Sequence, residues 1–289
     1  MASARDLRRR IRSIGSTAQI TKAMQMVAAS KMRRAQQLAI DVRPFVQRLY
    51  FLQRIATTRP IEFTDPLLER REVKKRAVIL VASDKGLCGA LNSNLFRLAG
   101  RFDPASTLFI AAGRKAAQFI ARTRRQLVAE FPYGDRPRFA ESRAIAALAR
   151  DLFEKHQVDE VRVVAARFVN TLTQQPVDID LLPIGSLHGI EIPGAPRLEQ
   201  AVAEKREFLF EPDAADLIGS LLKIYLNAFV HVVLLNAKAS EQSARMVSMS
   251  GATSNAEAMI KDLTLEYNKL RQGRITQELL EIQGGHTQP

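Results

Sequence analysis

Residues 20–32 read Ile20-Thr21-Lys22-Ala23-Met24-Gln25-Met26-Val27-Ala28-Ala29-Ser30-Lys31-Met32, or ITKAMQMVAASKM. The stretch reads as helix, carries no acidic residue, and places small or pliable apolar residues on more than one face. Outward from it, Leu7, Ile11, Ile14, Ala18, Ala28, Met32, Ala35, Ala39, Val42, Val46 and Leu49 keep the alternating three-and-four spacing of a coiled-coil seam. Thr21 and Gln25 fill the gap. The pattern predicts one helix of about 50 residues, roughly 75 Å long, with Pro44 the place for any kink.

A second seam occupies the other end of the chain. No proline occurs from Asp213 to Ile282, and Leu217, Leu221, Ile224, Ala228, Leu235, Met249, Ala252, Ala256, Met259, Leu263 and Leu270 repeat the spacing. Glu211-Pro212-Asp213 supplies a helix start, so a helix of about 70 residues and roughly 105 Å is expected. Lone helices of such length are marginal without burial of one face. The two ends are therefore expected to pair as an antiparallel coiled coil. Within the second helix, residues 217–235 (LIGSLLKIYLNAFVHVVLL) approach the length of a bilayer span, but Lys223, Asn227 and His231 form one polar stripe at i, i+4 and i+8. A helix covered by protein on most sides explains that stripe better than lipid does.

The middle of the chain changes period. Residues 77–82, 107–111, 161–165 and 177–181 are short strand-like runs, and helical patterns lie between them at 91–98, 114–124 and 141–156. Strand alternating with helix argues a parallel, nucleotide-fold-like layer domain, followed by a loop rich in glycine and proline at 185–196. The fold class is α/β plus a long antiparallel coiled coil, with a Rossmann-like α/β domain inserted between the terminal helices. Expected bounds are 1–58 for the first helix, 73–196 for the α/β domain and 208–285 for the second helix. The tail 284–289 carries no helical pattern, and Gly15 and Gly273 are helix-weakening positions.

The chain has 289 residues, 46% of them hydrophobic, and a formal net charge of +13. Residues 1–60 hold thirteen Lys or Arg against two acidic residues, which accounts for most of that surplus. An acidic protein surface, an anionic membrane or nucleic acid would each answer such charge. A basic coiled-coil nucleic-acid-binding protein is the alternative reading, although no aromatic residue for base stacking precedes Phe45. One cysteine, Cys88, permits neither an internal disulfide nor a thiolate metal cluster. Ser83 to Asn92 (SDKGLCGALN) stands where phosphate loops occur, but its two glycines match neither GxGxxG nor GxxxxGK[ST], so a tight strand-to-helix turn is expected. His156, His188, His231 and His286 show no paired spacing. No catalytic constellation, metal or cofactor site is expected.

Four stretches carry a resemblance: MASARDLRRRIRSIGSTAQITKAMQMVAASKMRRAQ, ASDKGLCGALNSNL, FLFEPD, and SEQSARMVSMSGATSNAEAMIKDLTLEYNKLRQGRITQELLEI. Together they resemble the gamma subunit family of the rotary F-type ATP synthases. The resemblance implies a non-catalytic rotor shaft inside a ring of alpha and beta subunits, standing on the membrane ring of c subunits beside the epsilon subunit. It implies no nucleic-acid role and a peripheral place on the cytoplasmic face of a bacterial inner membrane, since neither the chloroplast cysteine insert nor a mitochondrial leader is present. By the same resemblance Lys22, Lys31, Arg33 and Arg34 would meet an acidic lever loop of the beta subunits. Arg271, Gln272 and Thr276 match the polar catch, Met24, Arg245 and Met246 lie in the shaft segments, and Phe208, Phe210 and Glu211 match the foot segment that meets the c ring and epsilon.

Overall fold

The computed structural model describes residues 3–58, 65–184 and 214–285. Contacts divide the chain into two compact units, Ala29–Ala244 and a smaller one made of Met1–Ala28 with Arg245–Pro289. Two long helices, α1 (Ala4–Thr58) and α5 (Ala214–Gly285), contribute residues to both. Helix α1 runs through Pro44. Helix α5 extends to Gly285, so the first two tail residues are helical despite lacking the pattern. The loop expected at 185–196, together with Phe208, Phe210 and Glu211, lies outside the described residues.

In the larger unit five strands form one sheet in the order β3-β2-β1-β4-β5. They are β1 (Arg76–Val81), β2 (Thr107–Ala112), β3 (Gln126–Phe131), β4 (Glu160–Phe168) and β5 (Gln174–Leu182). β1 pairs in parallel with β2 and β4, and β2 with β3. The sheet is mixed rather than wholly parallel, because β5 returns antiparallel to β4. The reason is the short connection: residues 169–173 form a tight turn in which Asn170 Oδ1 accepts from the N–H groups of Leu172 and Thr173 at 2.9 and 2.8 Å. A parallel return needs a crossover of a dozen residues or more.

Alternation along β1 splits the core. Ala77, Ile79 and Val81 face one side with Val161, Val163, Ile179 and Leu181, against α4 (Phe139–Glu154), Leu49 of α1 and the apolar run Leu222 to Ala237 of α5. Val78, Leu80 and Ala82 face the other with Phe109, Ala111 and Val164, against α2 (Leu91–Ala99) and α3 (Arg114–Arg122). Among the described residues α5 is the one helix long and apolar enough to cross a membrane, and its apolar run is buried in this core. Lys223 is exposed while Asn227 and His231 are partly covered, as the stripe predicts.

Local chemistry starts the helices where the sheet needs them. Gly113 ends β2 at φ +95°, and a Cβ there would come within 2.2 Å of the Ala82 carbonyl oxygen, so only glycine lets the strands approach and α3 begin. Asp84 Oδ1 accepts from the first N–H of α3 (Arg114) at 3.0 Å, where a carboxylate complements the helix dipole. Glu141 Oε2 accepts from the Arg138 N–H at 3.0 Å and closes the start of α4.

Candidate functional site: a candidate partner surface

The smaller unit is a pair of helices. Leu7, Ala18 and Ala28 of α1 are buried, with Ile11, Ile14 and Gln25 partly so. Thr21 Oγ1 and Thr253 Oγ1 lie 2.7 Å apart, and the Ile260 Cδ1 atom stands 4.0 Å from where a Gly15 Cβ would project. As one partner moves from 15 to 21 the other moves back from 260 to 253, so the helices are antiparallel. Small residues in the seam let the backbones approach, and one threonine hydroxyl donates to the other while a carbonyl of its own helix lies in reach of each, Ala18 O at 3.0 Å from Thr21 and Met249 O at 2.9 Å from Thr253.

What the seam leaves outside is unusual for a free-standing helix pair. Ile20, Met26 (62% exposed) and Val27 face outward on α1, as do Met259, Leu265 (63% exposed) and Ile275 on α5. Met24 is half-buried, and Lys22 is exposed. Along the further length of α5, Arg271, Gln272 and Thr276 are all exposed, and the Thr276 hydroxyl donates to its own helix at Gln272 O, 3.0 Å away. Repeated exposed apolar side chains beside basic ones mark a surface that another molecule covers.

Other expected site residues stand differently. Arg245 is buried and Met246 partly so. In the larger unit Arg33 and Arg34 are exposed, but Lys31 is engaged within the chain, its Nζ 2.6 Å from Asp135 Oδ2. Burial pushes the Asp135 carboxyl up, yet the Lys31 hydrogen bond and the charges of Lys31, Lys238 and Lys85 hold it below the ordinary carboxylate value. Neither Asp135 nor its clasp on Lys31 was visible in the sequence, since the two lie 104 positions apart.

The sheet also offers the crevice where α/β folds take ligands, beyond the carboxyl ends of β1 and β4, from which the connections run in opposite directions. Here the chain fills it. Ser240 Oγ donates to Ala166 O at 3.2 Å, Ser243 Oγ to Thr171 O at 2.6 Å, and Ala244 joins Ala82 and Cys88 in one apolar cluster. The turn at 83–92 is tied to itself: Asn92 Nδ2 donates to Ser83 Oγ at 2.7 Å and reaches Cys88 Sγ at 3.3 Å. Among the described residues no group of three His, Cys, Asp or Glu side chains gathers as a metal site would require.

An antiparallel pair of terminal helices thus brackets, in sequence, a mixed α/β layer unit. The "ATP synthase" family model matches residues 3–287. Among curated relatives, the ATP synthase gamma chain of Opitutus terrae is 47% identical over 98% of this chain and 97% of its own. That of Methylacidiphilum infernorum is 40% identical over 98% and 97%. A chain from the solved central stalk and c-ring of the Tetrahymena thermophila mitochondrial ATP synthase superposes with a TM-score of 0.60 at 25% identity, over 81% of this chain and 99% of that one. A chain of the Euglena gracilis mitochondrial ATP synthase rotor superposes at 0.65 with 21% identity, over 94% and 98%. The chain belongs to the ATP synthase gamma-chain family.

Proposed function

We propose that this chain is the central rotor shaft of an F-type ATP synthase, coupling ion-driven rotation of a membrane c ring to conformational change at catalytic beta subunits. The single observation that carries the reading is the outward face of the helix pair in the smaller unit, apolar at Ile20, Met26, Val27, Met259 and Leu265 yet belonging to a chain of this family. Small and pliable side chains on such a face suit a shaft inside a sleeve, because contacts re-form at each angle without deep interlocks. The chain performs no catalysis of its own; ATP is made or hydrolysed on the subunits around it.

The residue assignments follow from chemistry. Lys22, Arg33 and Arg34 make solvent-screened, readily exchanged attractions to an acidic loop of the beta subunits. Arg271, Gln272 and Thr276 form a polar catch, in which the Arg271 guanidinium forks two hydrogen bonds to a beta-subunit carboxylate. Met24, Arg245 and Met246 belong to the shaft, and Phe208, Phe210 and Glu211 meet the c ring and epsilon. The complex sits peripherally on the cytoplasmic face of a bacterial inner membrane. A nucleic-acid reading has no support from the family, and the crevice of the α/β layers is filled by α5.

Reconstitution tests the reading. The chain mixed with alpha and beta subunits is expected to form a stable complex whose ATPase activity depends on residues after Gln272. Replacing Arg271 and Gln272 together by Ala is expected to weaken assembly or coupling by about tenfold, the loss of roughly one charge-assisted fork, against little effect from Arg122 and Arg124. Equal effects from the two pairs discard the catch; failure of the unaltered chain to assemble discards the shaft.

A further inference from the structure

In the larger unit a single carboxylate meets both long helices. Asp135 follows β3 in the loop leading to α4. Its Oδ2 accepts from Lys31 Nζ of α1 at 2.6 Å, and its Oδ1 accepts from Gln242 Nε2 of α5 at a longer 3.4 Å. The loop is itself held. Buried Tyr133 donates its hydroxyl to Ala82 O at 3.0 Å, and Lys238 Nζ of α5 stands 4.6 Å from the centre of its ring. Near this level the buried side of α1 is Met32, Ala35 and Ala39. Contacts of that kind are non-directional and resist sliding or turning weakly, whereas a charge-assisted hydrogen bond has a preferred geometry.

We propose that Asp135 is a positioning residue for torque transfer: one carboxylate clasps Lys31 of α1 and Gln242 of α5, and so keeps both helices from turning against the α/β layers under load. The inference rests on the rotor reading. Lys31 and Asp135 keep 40% and 50% of their side-chain surfaces exposed, so salt screens the clasp. Loss of such a pair shifts a local opening equilibrium by about fivefold at most, enough to show under load without unfolding the chain.

The test uses complete ATP synthase in membrane vesicles, with Asp135→Asn, Lys31→Ala, the exchanged pair Lys31→Asp with Asp135→Lys, and Arg122→Ala at an exposed position of α3 as control. ATP hydrolysis and ATP-driven ion uptake are measured on the same vesicles, alongside the amount of assembled chain. Ions moved per ATP are expected to fall about twofold in both single variants, to recover in the exchanged pair, and to stay unchanged in the control. Raising ionic strength is expected to bring the unaltered complex toward the single variants. An unchanged ratio in the single variants overturns the clasp, even where less chain assembles, and so does a loss that the exchanged pair leaves unrestored. If the unaltered chain neither assembles nor supports ion uptake, the rotor reading fails and the clasp with it; normal uptake by both unaltered and variant complexes removes the clasp alone.

Discussion

Lys238 and Glu241 form the most enclosed ion pair among the described residues, 2.8 Å apart one turn apart on α5, with 2% and 4% of their side-chain surfaces exposed. Burying both charges is costly, so removing only the lysine leaves a carboxylate far from water. Lys238→Met is expected to destabilise the chain by about 3 kcal/mol, while Lys238→Met with Glu241→Leu is expected to recover most of that, as measured by urea unfolding. A single variant within 1 kcal/mol of the unaltered chain would contradict this account. His231 supplies a pH test. Its ring lies edge-on to Phe139, and its Nδ1 stands 2.9 Å from Ser142 Oγ. Burial lowers its pKa below the ordinary value near 6.5, against the opposing charge of Glu141. With the folded value depressed, the unfolded chain binds the extra proton first, so this contribution is full above 6.5 and is lost as pH falls from there toward the folded value. Unfolding free energy measured downward from pH 7.5 is expected to fall through that window, with the slope reduced in His231→Gln. Neither site was legible in the sequence, because Ser142 and His231 lie 89 positions apart and Lys238 is covered by Tyr133, a residue of a distant loop.

Element by element, the seam was the most legible feature, and where it failed the geometry says why. On α1 the chosen line holds: Leu7, Ala18, Thr21, Ala28, Met32, Ala35, Ala39 and Leu49 are all buried. On α5, Ile224 and Met259 point outward instead, with burial passing to Leu222 and Tyr225 near the first and, in part, to Ile260 near the second. A straight helix drifts about 20° per heptad against a fixed seven-residue line, so one line of residues cannot serve a helix of 72 residues. The run Leu222 to Ala237 is also covered from several sides by the sheet and α4, so there burial ceases to be a stripe. Strand β3 gives a weak sequence signal, since its apolar run is only Leu127-Val128-Ala129 and it lacks the alternation of the other edge strand, β5; Leu127 and Val128 stay exposed at the sheet edge. The two faces of α1 give a paired prediction. Ala28→Leu inserts three carbons into a close helix contact and is expected to cost about 2 kcal/mol in urea unfolding of the chain. Met26→Ala, two positions away and facing outward, is expected to change that stability by less than about 0.5 kcal/mol yet to weaken the complex with alpha and beta subunits. The reverse order of effects would place the partner surface on the wrong face.

Across the whole molecule the charge distribution was readable from composition, but its purpose was not, because composition cannot name the acid that answers it. In residues 1–60 the surplus over acidic residues is eleven, and internal pairs neutralise little of it. Asp6 takes Arg9 within its own helix, and Asp135 takes Lys31. Arg8, Arg10, Arg12, Lys22, Arg33 and Arg34 stay exposed. Long-range attraction of this sort steers association more than it sets affinity, and it is screened beyond roughly 10 Å at 0.1 M salt. The association rate of the chain with the alpha and beta subunits is therefore expected to fall about tenfold between low salt and about 0.5 M, while the urea midpoint of the chain alone barely moves. Stopped-flow mixing at several ionic strengths measures the first and denaturation the second. A duplex DNA arm separates the rival use of the same charge: a nucleic-acid protein keeps binding with a steep logarithmic salt slope near physiological ionic strength. The rotor reading requires DNA retention to vanish at that salt while the subunit complex persists, because apolar side chains such as Met26 and Leu265, indifferent to screening, hold the assembled shaft once charge has brought it in.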